Sequence, residues 1–182
     1  MINKVRDSWM NLQGRKFLTA IGMQKDQVVL DFGCGHGTYS IPAALVVGEN
    51  GRVYAVDINS DSLNEVKNYA KKRELSNIVC IEAPDQIDHY VSSESVDMVL
   101  LYDVFHLIKA RGRLLSELFP LLKYNGVLSV FSKHHQTDMN MSLSEVKREI
   151  ESAGFLFDLK LLKTLMHNDH LEKGYILNFK KR

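Results

Sequence analysis

The chain has 182 residues, of which 45% are apolar and 25% charged, and 23 Lys and Arg against 22 Asp and Glu leave a formal charge of +1. A chain of this size and composition buries a core without disulfides or a structural metal, which excludes the disordered, fibrous and membrane-spanning classes. Near-zero charge argues against a nucleic-acid backbone as the main partner, and two cysteines, Cys34 and Cys80, suit a reducing cytosol and not a disulfide framework.

The opening segment from Met1 to Trp9 lacks the apolar core of a signal peptide, so a cytoplasmic location without membrane association is expected. Residues Val5–Ile21 read as one amphipathic helix, although Trp9, Leu12, Lys16 and Ile21 are loosely spaced for a single stripe. Short apolar, β-branched runs then follow at Val28–Phe32, Arg52–Asp57, Asn77–Ala83, Val96–Tyr102 and Gly126–Ser132, and read as buried strands. Between them, Tyr39–Val47, Ser60–Arg73 and Ala110–Lys123 carry apolar residues at helical spacing, with Ser60-Asp61-Ser62 as an N-cap for the second. A further helix is expected at Leu143–Ala153, stopped by Gly154. Phe155–Leu162 and Tyr175–Lys180 read as two strands joined as a hairpin, so that one runs against the rest.

Alternating strands and helices imply an α/β fold, a doubly wound, Rossmann-like sheet of seven strands, mostly parallel with one antiparallel strand near the C-terminus. Three prolines and no repeat or low-complexity tract leave no visible boundary, so residues 1–182 are expected to form one domain. Its parts would be an N-terminal helix in 1–24, an alternating core in 25–135, and a helix with a strand pair in 136–182.

The most informative stretch is Val28-Val29-Leu30-Asp31-Phe32-Gly33-Cys34-Gly35-His36-Gly37-Thr38. A strand enters three glycines at alternate positions and then a helix, which lets a ligand lie against bare peptide groups. The dinucleotide fingerprint Gly-x-Gly-x-x-Gly is not met, because the third glycine comes one residue early. Asp31 at the strand end would repel a pyrophosphate and suits a ligand carrying an ammonium group. Asp57 closes the second strand twenty positions after Gly37, the offset at which a carboxylate accepts hydrogen bonds from ribose hydroxyls. Read blandly, Asp57 is a turn residue and the glycines a tight strand-to-helix turn; their joint spacing favours a ligand site.

Together these residues resemble the class I S-adenosylmethionine-dependent methyltransferases of the small-molecule-like branch. The resemblance is carried by Val28–Thr38, Val53–Ile58, Ile81-Glu82-Ala83, Ser95–His106 and Leu121–Val130, covering residues 25–135 and, as strand pattern, the remainder. It implies S-adenosyl-L-methionine as the cofactor, with Asp31, Phe32 and the Gly33-Cys34-Gly35-x-Gly37 backbone around the methionine moiety. It further implies Asp57 on the ribose, Ile58 packed on the adenine, Glu82, Ala83 or Asp85 at the adenine edge, and Tyr102 beside the methionine portion.

A sulfonium methyl is already activated, so displacement mainly needs the nucleophile held in line, and such positioning is worth ~7–11 kcal/mol. Where the nucleophile must lose a proton, a histidine is the economical base. His106 is the first candidate, His134 the second and His135 the third, each weighed against a packing or solvated-loop role. Asp103 is as well placed to cap the turn after the fourth strand as to touch a substrate. Two polar clusters, His134 with His135 and Asp138, and His167 with Asp169 and His170, lack zinc spacing; surface loops are expected there, and no metal. The fourth strand continues Leu101-Tyr102-Asp103-Val104, without the Asn/Asp-Pro-Pro-aromatic motif of enzymes that methylate nucleic-acid amino groups. A small-molecule acceptor is therefore expected and no nucleic acid. With little sequence for a lid, the pocket is open or completed by a partner. The rival readings are a cofactor-binding regulatory subunit without transfer activity and a nicotinamide-dependent oxidoreductase.

Overall fold

A computed structural model describes residues 4–82, 84–131, 141–167 and 169–182. Seven strands form one sheet: β1 (Val28–Phe32), β2 (Arg52–Val56), β3 (Ile78–Ile81), β4 (Val96–Tyr102), β5 (Leu122–Phe131), β6 (Leu156–His167) and β7 (His170–Lys180). Their order across the sheet is β3-β2-β1-β4-β5-β7-β6. The first five are mutually parallel, and β7 runs antiparallel to both β5 and β6. The expected doubly wound sheet with one reversed strand is what forms.

Helices cover both faces. On one lie α1 (Lys4–Ser8), a π-helical turn (Trp9–Gln13), α2 (Gly14–Ala20), α3 (Ser40–Val47) and α4 (Ser60–Lys72); on the other lie α5 (Arg111–Leu121) and α6 (Leu143–Ser152). The first apolar layer includes Trp9, Leu18, Ile41, Val47 and Val66, and the second Leu115, Leu118, Val146 and Ile150, all at most 1% exposed. The central strands are covered on both faces, which is why β1 and β4 read as mainly apolar runs, each with one aspartate, Asp31 and Asp97.

Several element ends differ from expectation, each for a local reason. The N-terminal helix is interrupted by the π-helical turn, and that extra residue per turn brings Trp9 and Met10 inward together. Gly14 follows it because a Cβ there would sit 2.8 Å from Cγ of Pro42 on α3. Helix α4 is capped by Asn59 and not by the serines after it: the Asn59 side chain, on an extended residue, accepts from Ser62 N–H at 3.0 Å. Strand β5 begins four residues earlier than the apolar run, since Leu122 pairs with Val96 before a register shift brings Val127 opposite Met98. The intervening residues include Asn125 at φ +63°. Helix α6, by contrast, starts at the expected Leu143, with a capping box between Ser142 and Glu145, and the expected Gly154, at φ +97°, follows its last turn. Strands β6 and β7 run on to a two-residue connection between His167 and His170, far beyond the expected Leu162 and Tyr175.

The connection from β3 to β4 carries the chain across β1, so strand order reverses between β1 and β4. Crevices at such switch points, outside the carboxyl ends of the strands, are where open α/β sheets hold ligands. Gly33 follows β1, and Asp103 follows β4.

Candidate functional site

The loop after β1 is built by backbone hydrogen bonds. Gly33 N–H and Cys34 N–H both donate to the Val56 carbonyl at the end of β2, at 2.8 and 3.0 Å. The chain then turns through three left-handed glycines, with φ of +73° at Gly33, +50° at Gly35 and +79° at Gly37. At Gly33 the need is steric as well as conformational: a Cβ would lie 2.4 Å from Cγ2 of Val104. The loop is clamped from outside by the N-terminal helix, where Trp9 Nε1–H donates to Thr38 O at 2.9 Å and the Arg6 guanidinium donates to His36 O at 3.0 Å.

Asp57, just past β2, faces this loop. One carboxylate oxygen accepts from Gly35 N–H at 2.8 Å and the other from Asn59 N–H at 2.9 Å. Each carboxylate oxygen has two lone pairs, so both retain capacity for a further donor. Asp57 lines a cavity of about 530 Å³ whose walls include Phe32, Gly33, Val56, Val104, Leu107, Ile108 and Leu114. Ile58 stands on its rim, 80% exposed although fully apolar. An apolar slot beside a carboxylate has the chemistry to take a ligand with an apolar ring and hydroxyl donors.

A second, smaller cavity of about 280 Å³ shares Gly33 and Asp103 with the first. Its lining comes from four parts of the fold: Arg6 of α1, Cys34, Gly35, His36, Thr38 and Tyr39 of the loop, Tyr102 and Asp103 at the end of β4, and Met166, His167 and Asp169 of the β6–β7 hairpin. Tyr39 donates its hydroxyl to Met166 O at 2.6 Å, tying the start of α3 to the end of β6. Tyr102 is buried, its hydroxyl 2.7 Å from that of Ser129, and its ring meets Tyr39 edge-on at 4.7 Å between centroids. Contacts of this kind contribute ~0.5–1.5 kcal/mol each beyond burial, so the wall is stiff. Burial drives both phenols well above their ordinary range, and they stay neutral.

Opposite this wall, His167 Nδ1 lies 2.6 Å from Asp103 Oδ2, the His side chain 8% exposed and the Asp 26%. The Phe131 ring packs edge-on against the imidazole at 6.2 Å between centroids. Asp103 itself has φ +58°, a left-handed turn that Asp tolerates better than most residues.

Asp31 was expected to face the loop; its carboxylate is buried behind it, 2% exposed, accepting from the Ser40 hydroxyl at 2.5 Å, and it lines neither cavity. Burial raises its pKa to about 7, partly opposed by the Ser40 hydrogen bond and reinforced by the nearby charge of Asp57. The group binds a proton more tightly folded than unfolded, so its contribution to stability is full below about pH 4 and is lost as pH rises through about 7. Relative to Asp31→Asn, wild-type unfolding free energy should fall by roughly 3 kcal/mol between pH 5 and 8, measured by urea titration. Parallel pH profiles for the two proteins would contradict the raised value. Cys34 is packed inside the loop with its thiol raised by burial and then by Asp31 and Asp57, an inert position.

Of the other residues named from sequence, Phe32, Gly33, Asp57 and Ile58 line the larger cavity, and Gly33, Cys34, Gly35 and Tyr102 the smaller. Gly37 packs under the loop, a Cβ there meeting Val66 at 2.9 Å. Glu82 is exposed and His106 sits in the short turn Phe105–Leu107; neither lines either of these two cavities. Ala83, His134, His135, Asp138 and the Asp85 side chain lie outside the described residues. Arg6 is the cavity residue that the sequence does not single out, and the meeting of His167 with Asp103 is the contact it does not foretell. Among the described residues no group of three or more His, Cys, Asp or Glu could hold a metal, and no helix is long and apolar enough to cross a membrane.

Comparison with known proteins gives one family model, described as a methyltransferase domain, that matches residues 23–178. A probable cobalt-precorrin-6B C(15)-methyltransferase (decarboxylating) of Sulfurisphaera tokodaii is 32% identical over 123 residues, covering 60% of this chain and 63% of that protein. The protein of the same name from Saccharolobus solfataricus is 32% identical over 129 residues, 64% of each. The chain thus spans less than two thirds of the length of these curated relatives. Among solved structures, a SAM-dependent methyltransferase from Aquifex aeolicus superposes with a TM-score of 0.77 at 21% identity, covering 96% of this chain and 93% of that one. At that identity the likeness is one of fold.

Proposed function

The chain belongs to the methyltransferase-domain family, with S-adenosylmethionine as its methyl donor, and from that premise we propose that it methylates a small-molecule acceptor seated beneath the β6–β7 hairpin. The observation that carries this reading is Asp57, whose carboxylate stands on the wall of an apolar cavity with lone pairs left for two hydroxyls. The donor supplies a methyl group activated by a positively charged sulfur. Asp57 holds the ribose, Ile58 and the aliphatic walls of the larger cavity take the base, and the left-handed loop at Gly33 and Gly35 lets the amino-acid portion lie against peptide. Arg6 is the one lysine or arginine on the smaller cavity among the described residues, and supplies the counter-charge for a carboxylate. Stiff aromatic walls then hold an acceptor in line and keep water out, which is the larger part of what this chemistry asks of a protein.

The relatives named for cobalt-precorrin-6B make a corrinoid precursor the first defined acceptor to try. The test is transfer of a labelled methyl from S-adenosylmethionine into a fractionated metabolite extract, with cobalt-precorrin-6B as a separate arm. Label is expected in the small-molecule fraction. Label confined to added RNA or protein would overturn the acceptor class.

A further inference from the structure

We propose that the outward face of the β6–β7 hairpin is a platform for the acceptor, and that the acceptor is a large molecule with an apolar body and several carboxylates. The inference rests on the methyl-transfer reading above and adds to it the surface that selects the acceptor. Pairing between β5 and β7 ends at Val130 and Leu177, so the ladder from Leu162 and Tyr175 outward continues past β5. Residues directly opposite one another in a ladder share a face, and successive residues alternate between faces. Leu161 with Ile176 and Leu165 with Glu172 thus share one face, where Leu165 and Ile176 pack into the layer beneath the N-terminal helices. The other face carries Lys160, Leu162 with Tyr175, Thr164 with Lys173, and Leu171. On it Leu162 is 55% exposed, and Leu171 and Tyr175 are 40% each. Among the described residues, five of the eleven exposed large apolar side chains lie on this hairpin, a concentration that marks a binding surface.

Charge narrows what the face takes. Lys160 and Lys173 are its charged members, and the Lys160 ammonium sits 4.6 Å from the centre of the Tyr175 ring. Of the nearby acids, Glu172 is on the opposite face and Asp158 is paired with Lys180 at 3.1 Å. An apolar strip flanked by two ammonium groups suits an apolar body that carries anions and repels a cationic one. From Lys160 to Met166 the face runs about 20 Å at the usual rise of a strand, a length that suits a large molecule. Its outer end reaches the site: Met166, opposite Leu171, lines the smaller cavity together with His167 and Asp169. A molecule laid along the platform therefore meets the cavity with one end. A second copy adding its own strand is disfavoured, because β6 is the sheet edge and Lys160 and Lys163 stand along it.

The test is a calorimetric titration of the full chain, saturated with S-adenosylhomocysteine, with cobyrinic acid, a corrin ring bearing free carboxylates. Saturable binding is expected, and added salt should weaken it. Lys173→Glu, which turns an attraction into a repulsion, and Leu162→Ser, which removes apolar contact, should each weaken it about tenfold. The methyl-esterified probe should bind about tenfold more weakly than the acid. Both substituted side chains are exposed, so melting temperature and S-adenosylhomocysteine affinity should match wild type. Equal binding by wild type and both variants overturns the proposal, as does no binding of the acid or a preference for the ester. A dimer seen by sedimentation and dissociated by Leu162→Ser gives the face to a second copy and overturns it as well. So does binding to phosphatidylglycerol vesicles that Leu162→Ser abolishes while the probe goes unbound. A wild-type chain that binds no S-adenosylhomocysteine overturns the methyl-transfer reading instead, and the same titration without it still decides the platform.

Discussion

Asp57→Ala is expected to weaken binding of S-adenosylhomocysteine by one to two orders of magnitude, with little effect on the melting temperature. Hydrogen bonds to a charged acceptor contribute ~1.5–3 kcal/mol, and tenfold in affinity corresponds to ~1.4 kcal/mol. The loss has two parts. Ribose hydroxyls lose their acceptor, and Gly35 N–H, which now donates to Asp57 at 2.8 Å, loses the contact that holds the loop against the β2 end. Asp57→Asn keeps one accepting oxygen and should fall between the two proteins. Calorimetric titration separates the effects, because a loosened loop raises the entropic cost of binding even for a ligand without ribose. Unchanged affinity in Asp57→Ala would remove the ribose assignment.

The larger structural effect belongs to Gly33→Ala. The residue sits at φ +73°, and its new Cβ would approach Val104 Cγ2 to 2.4 Å. A left-handed conformation costs an L-residue ~1–2 kcal/mol. Overpacking at a close contact costs a further ~1–3 kcal/mol. Unfolding free energy should therefore drop by roughly 2–5 kcal/mol, and cofactor affinity should drop with it, because Gly33 and Val104 line the same cavity. Adding Val104→Ala relieves the clash but not the backbone strain. The double variant should regain about 1 kcal/mol or more, and a denaturant-melt mutant cycle over these two sites measures that coupling. Strict additivity would mean that Gly33 is required for its backbone angle alone.

What was legible in the sequence was what is encoded locally. Strands β1, β2 and β4 are mainly apolar, with Asp31, Arg52 and Asp97 as their charged members, and announce themselves as runs. Gly33, Gly35 and Gly37 announce a turn that only glycine makes cheaply, and Asp57 follows at a spacing set by one helix and one strand. Elements whose cause is tertiary were not legible. Much of the outer β6–β7 hairpin is partly or fully exposed, with Lys163, Thr164, Glu172 and Lys173 along it, so apart from the buried Leu165 and Met166 its sequence looks like a polar loop. The β5 start is displaced because pairing with Val96 recruits Leu122 across a register shift. Asn59 caps α4 one residue before the serines that look like the natural cap.

The site followed the same division. The nucleoside side is carried by two adjacent strand ends and could be read. His167 reaches Asp103 only because a hairpin from the far edge of the sheet folds back over the β4 end, and nothing within ten residues of either reveals the partner. One weak signal existed: His167 ends an apolar pair, Leu165-Met166, at a turn with Asp169, an unusual place for a wholly solvated histidine. The spacing of that cluster reads as a surface loop, and His106 lies nearer the fourth strand in sequence, so the pair stays hidden.

The most direct trial of the account is a calorimetric comparison of S-adenosylmethionine and NAD on the wild-type chain, repeated on Asp57→Ala. One saturable site for S-adenosylmethionine, sharply weakened by the substitution, with no heat from NAD, is the predicted result. Saturable binding of NAD with none of S-adenosylmethionine would contradict it.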